Sequence, residues 1–146
     1  MTPAHRPDSI GSSKEVFASW WTEVGRKVRH PFLRWFAPLR LRHMASSVLR
    51  QKGARTFKDP GDIGAELQRM FPDRGMYRIE ELRDDGIVMD IHIDCPLRGS
   101  GDRAACQRLM TYDRTLASGI GGRLEVLESQ AENGGHTCRV YIKPKN

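Results

Sequence analysis

The sequence predicts an α+β fold, with N-terminal helices followed by a hairpin, helix, hairpin unit whose four strands form one antiparallel sheet packed on helices. Three observations carry that prediction. Ile87, Met89, Ile91 and Ile93 alternate with Val88, Asp90, His92 and Asp94, the period of a strand with one buried face. Between Asp102 and Ser118, the spacing of Cys106, Leu109, Met110, Asp113 and Ala117 is helical. Asp84-Asp85-Gly86 and Glu132-Asn133-Gly134-Gly135 are turn signals, each between two strand-like segments.

Taken in order, residues 1–14 read as a flexible lead-in, 15–58 as a basic, aromatic-rich helical extension and 59–146 as the α+β domain. Ser12 or Ser13 can cap a helix that carries Val16, Phe17, Trp20, Trp21, Val24 and Val28, and Pro31 should stop it. Phe32, Leu33, Trp35 and Phe36 open a second helix. Pro38 either kinks that helix or splits it from a piece running through Leu41, Met44, Val48 and Leu49 to Gly53. Asp59 starts a short helix with Ile63, Leu67, Met70 and Phe71 inward, ended by the Pro72-Asp73-Arg74-Gly75 turn. Met76 to Arg83 forms the first strand of the first hairpin, and Pro96 closes the second. Asp102 caps the central helix, Gly119, Gly121 and Gly122 end it, and Arg123–Gln130 with His136–Lys143 form the second hairpin.

Composition narrows the function classes. A length of 146 residues can bury a substantial core, and no run reaches the roughly 18–20 apolar residues of a membrane span. The N-terminus lacks an apolar signal region, and three cysteines do not make a disulfide framework, so reduced thiols in the cytosol are expected. The net charge of +6 points to an anionic contact. It is concentrated in residues 25–55, which hold Arg26, Lys27, Arg29, Arg34, Arg40, Arg42, Arg50, Lys52 and Arg55 and no acid. Two readings fit this arginine- and tryptophan-rich stretch. In the preferred one, the aromatics pack inward or form a homodimer or partner-docking surface over residues 15–53, while the arginines snorkel out. In the other, the stretch lies on an anionic membrane surface. Sequence-specific nucleic-acid binding is not expected, because no turn-and-recognition-helix pattern accompanies the charge.

The candidate site is the cysteine set. Cys95 falls on the apolar face of its strand, Cys106 on the buried stripe of the central helix and Cys138 on the inward face of the last strand. One core would then hold all three thiols. Thiolates bind zinc and iron–sulfur clusters when three or four ligands converge, and His136, which shares the parity of Cys138, or Asp113 could supply the fourth. The bland alternative is that these thiols pack as small hydrophobes. Asp113 on the buried side of a helix needs a partner, for which Tyr112, Arg114 or a bound cation are candidates. His92, Asp90 and Asp94 line the opposite strand face, most simply as a solvated row. No nucleophile elbow or phosphate-loop fingerprint is present.

The run DCPLR, then AC in a following helix, then LEVLES, a Gly-Gly turn and HTCRVYI resembles the C-terminal sensor domain of SufR-type iron–sulfur repressors and related ArsR-like regulators. It is also similar to the vinyl-reductase-type domain of bacteriochlorophyll-pathway reductases and aromatic-sensing activators. The resemblance covers residues 60–144 and implies a ligand-binding domain with Cys95, Cys106 and Cys138 as ligands of a cluster or metal. The winged helix-turn-helix of those repressors has no counterpart in residues 1–59, and the extra cysteine of the aromatic-sensing relatives is missing near Gln130. The expectation is therefore a metal- or iron–sulfur-binding sensor or accessory module. An enzyme or accessory protein holding a tetrapyrrole or heterocycle between sheet and helices is the alternative, and a peripheral membrane adaptor the third.

Overall fold

A computed structural model describes residues 7–145. The lead-in expected over residues 1–14 lies outside these for its first six residues, and the rest differs from expectation. Pro7–Ser12 forms α1, and its Ile10 is fully buried. Ser13 then caps α2, Lys14–Lys27, by accepting a bond from the Val16 N–H at 3.3 Å. A 3₁₀ turn, Leu33–Trp35, follows, and Pro38 sits in the first turn of α3, Ala37–Gln51. Pro38 thus splits the two pieces. Asp59 caps α4, Pro60–Arg69, whose Ile63 and Leu67 are fully buried.

The sheet comprises β1, Tyr77–Leu82, β2, Ile87–Ile91, β3, Gly122–Glu128, and β4, Cys138–Pro144, in the order β1-β2-β4-β3 with every pairing antiparallel. The two hairpins are joined by β2 and β4, in a register that sets Ile91 opposite Cys138. The inner face, Ile87, Met89, Val140 and Ile142, has no exposure at all. It packs on α4 and on α6, Thr111–Gly119, and α3 covers α6 from the far side. Within residues 15–58, α2 and α3 pack into the same core: Phe17, Trp20 and Trp21 of α2 close around Tyr112 of α6, with the Trp20 and Tyr112 rings 5.0 Å apart.

The central helix divides. Arg103–Leu109 forms α5, capped by Asp102, and α6 starts after a break at Met110. A further helical turn, Gln130–Asn133 (α7), replaces the expected end of β3, and β2 ends at Ile91, short of Pro96. Ser129 caps α7, and Gly134 closes it with φ +68°.

Gly25 fixes how α2 meets the Cys95 loop. A Cβ there would lie 2.3 Å from Pro96 Cγ and 2.4 Å from its Cβ, atoms of a ring that cannot rotate away. Replacing glycine by alanine within a helix ordinarily stabilises by up to about 1 kcal/mol. Overpacking costs about 1–3 kcal/mol. Gly25→Ala is therefore expected to lower stability in urea unfolding, and an increase would show that the loop yields freely.

Candidate functional site

Four segments bring the site together. Cys95 follows β2 in an irregular loop, Cys106 lies in α5, Cys138 opens β4, and Asp113 sits in the first turn of α6. Ser129 and Gln130, at the start of α7, are the hub. The Gln130 N–H donates to Cys138 Sγ at 3.4 Å, and the Gln130 Oε1 accepts from the Cys95 N–H at 3.1 Å. Its Nε2 donates to the Ile93 carbonyl at 2.8 Å, and Arg98 donates to the same Oε1. Ser129 and Cys106 line the wall of the same cleft. Leu97 N–H donates to Cys95 Sγ at 3.4 Å, so two of the three sulfurs receive a backbone donor.

Cys138 is buried, and Cys95 and Cys106 are half-buried. Burial pushes the Cys138 thiol up to about 11, with the charges of Cys95, Cys106 and Asp113 adding to the effect. Burial likewise raises Cys95, and Cys106 adds to it, while burial raises Cys106 and Ser129 opposes the rise. At neutral pH these are thiols, so none is an activated nucleophile. Loss of their protons requires a cation or cluster that pairs with the thiolates.

Asp113 is 1% exposed, and burial pushes its carboxyl up to about 6. Tyr77 is its partner, donating its O–H to Oδ2. Neither Tyr112 nor Arg114 takes that role: the Tyr112 O–H is itself buried without a partner, and Arg114 donates to the Gln107 carbonyl at 3.1 Å. Asp113 Oδ1 has no partner either. His136, expected inward beside Cys138, precedes β4 and is exposed, because strand parity does not extend into the loop.

Cys106 also forms part of the wall of a surface cleft of about 420 Å³ between α5, α6 and β3, with Arg103, Arg114, Met110, Leu124 and Glu125. Its rim is internally neutralised, since Arg103 pairs with Glu132 at 3.0 Å.

The spacing of the ligand-type side chains limits what they could hold. Among the described residues, the one set of three or more His, Cys, Asp or Glu whose ligand atoms all lie within 4.8 Å of one another is Glu80, Asp90 and His92, so the three sulfurs do not close on a single ion. A polynuclear cluster binds its cysteines through different irons and spaces them farther apart. Backbone N–H donors to sulfur are a recognised control on such clusters. The Glu80, Asp90, His92 set lies on the outer sheet face, where Arg139 already neutralises Asp90 through bonds of 2.8 and 3.1 Å. His92 Nε2 is buried there without a partner.

Sequence reasoning did not find Tyr77, Ser129 or Gln130. Signals for them existed: Tyr77 pairs with Ile91 and shares the inner face, and Ser129 followed by Glu132 is a capping box. No helix among the described residues is long and apolar enough to cross a membrane. Compared with protein-family models, with curated proteins and with solved structures, the chain gives no match.

Proposed function

We propose that this protein is a small sensor or accessory module that holds an iron–sulfur cluster on Cys95, Cys106 and Cys138, with Asp113 as the fourth donor. The observation that carries this reading is the Ser129–Gln130 hub, which hydrogen-bonds to Cys95 and Cys138, gives Cys138 a donor to sulfur and shares a cleft wall with Cys106. The unpartnered Asp113 Oδ1 in the same interior supports the fourth position, for which exposed His136 is less suited. A single zinc ion is less well supported than a cluster, given the spacing of the sulfurs. A bound cluster would supply a redox or metal-responsive state. The chain's own residues would hold the thiolates and donate to two of their sulfurs.

The test is the absorption spectrum with iron, sulfide and zinc content of protein purified without oxygen. Stoichiometric iron and sulfide are expected in the wild type and should be lost in each of Cys95→Ala, Cys106→Ala and Cys138→Ala, with thermal melts confirming that the variants fold. Colourless, metal-free wild type overturns the reading. The cleft of about 420 Å³ favours a second one, an enzyme or accessory protein binding an organic ligand such as a tetrapyrrole or heterocycle against Cys106. Copurification of a chromophore without iron would select it.

A further inference from the structure

The aromatic residues of the N-terminal layer separate into two populations. Phe17, Trp20 and Trp21 are buried, whereas Phe32, Trp35, Phe36 and Leu39 expose 75, 70, 66 and 63% of their surface and Leu33 exposes 44%. These five residues occupy one knuckle, the 3₁₀ turn and the start of α3. Its shape is fixed locally. His30 Nδ1 accepts the N–H groups of both Phe32 and Leu33 at 3.1 Å, and the Phe36 N–H donates to the Leu33 carbonyl at 3.0 Å. The rings therefore stand out on a held turn at no further ordering cost.

The charge around the knuckle is of one sign. No Asp or Glu occurs from Val24 to Lys58. Arg34 lies over the Trp35 ring at 5.1 Å, and its Nε has no acceptor in the protein. Arg29 pairs with Asp102 at 3.4 Å, but among the described residues Arg26, Arg34, Arg40 and Arg42 make no salt bridge. Exposed rings rimmed by cations call for an apolar phase beneath an anionic surface. A second copy of this chain is a poor occupant: a two-fold contact opposes each patch to itself and brings the arginines together. A groove on another protein would have to receive several projecting rings at once, whereas a bilayer interface accepts Trp and Phe at headgroup depth and pairs arginine with lipid phosphate.

From these observations we infer that the Phe32–Leu39 knuckle is a membrane-docking element that inserts its aromatic side chains into the interface of an anionic bilayer, with Arg34 and Arg40 on the lipid phosphates. This is independent of the thiol site. It would hold the protein on a membrane surface by one convex tip, without a spanning segment.

Vesicle cosedimentation of the full chain tests it, with phosphatidylcholine alone and phosphatidylcholine mixed with phosphatidylglycerol. Binding to the mixed vesicles is expected, weakened by salt and reduced on the order of tenfold or more in the Phe32→Ser/Trp35→Ser/Phe36→Ser variant, whose side chains are exposed and whose melt should stay unchanged. Arg34→Glu/Arg40→Glu should lose the preference for anionic lipid. Trp35 is the one exposed tryptophan of the three, so a blue shift of fluorescence on binding that is absent in Trp35→Phe locates the insertion. Failure of the wild type to bind mixed vesicles, or equal binding by the triple serine variant, overturns the proposal. So does a wild-type dimer that the serine variant converts to monomer, which would assign the knuckle to a second copy.

Discussion

Asp113→Asn is expected to stabilise the metal-free protein above neutrality while leaving it nearly unchanged in acid. Burial holds the Asp113 carboxyl at about 6 against an ordinary 3.8. Between those values the folded chain keeps a proton that the unfolded chain has released, so stability falls as pH rises through the window and the deficit is constant above it. At about 1.4 kcal/mol per unit, the full deficit is about 3 kcal/mol, a large fraction of the stability of a domain this size. The acids held low by arginine, Asp90 and Glu66 among them, act with the opposite sign at lower pH. Comparing the two proteins cancels that background. Urea unfolding from about pH 4 to pH 8 should give curves that diverge across the window and then run parallel. Curves parallel throughout would mean that Asp113 is not desolvated. Bound metal would reverse the effect, because a cation favours the ionised carboxylate.

Gln130→Ala is the second large effect. Gln130 has no exposure, and its side chain satisfies the Cys95 N–H, the Ile93 carbonyl and the Arg98 guanidinium together. Its removal leaves two backbone groups without partners, at about 1–3 kcal/mol each, beside a new void. A loss on the order of 2–5 kcal/mol is expected. The signature that separates this residue from an ordinary core position is local: Cys95 should become reactive toward a thiol reagent at urea concentrations well below global unfolding. Gln130→Glu keeps the acceptor for Cys95 and Arg98 and gives up the donor to Ile93, so it should protect Cys95 better than alanine does. Equal, globally coupled reactivity in both variants would remove Gln130 from its role as hub.

The sequence made some of this legible because the governing interactions are local. Ser13, Asp59 and Asp102 announce their helices by side-chain caps, and the alternating apolar residues of β2 announce the strand, although both of its faces are buried. The break at Met110 carries no glycine or proline. Both pieces pack on α3, so no residue in the local window marks the break. The inward placement of Cys138 was readable from strand parity, but the partner of Asp113 was not, since Tyr77 lies 36 residues away and comes from another element. The two aromatic populations were equally hidden. Helical spacing assigns Trp20 and Trp35 alike to apolar faces, and tertiary packing alone decides that one is enclosed and the other bare.

The strand order has a kinetic consequence. Because β4 lies between β2 and β3, the middle of the sheet forms only when Ile87 meets Ile142 and Ile91 meets Cys138, contacts that span the central helices. Each hairpin can close on its own by short loops, but joining them requires a large loop-closure entropy to be overcome before any central pairing is gained. The thiols of Cys95 and Cys138 are brought together by that same late step. Any group that needs both sulfurs can therefore be captured only after the slowest event in folding, and its loading would serve as a clock for completion of the native sheet.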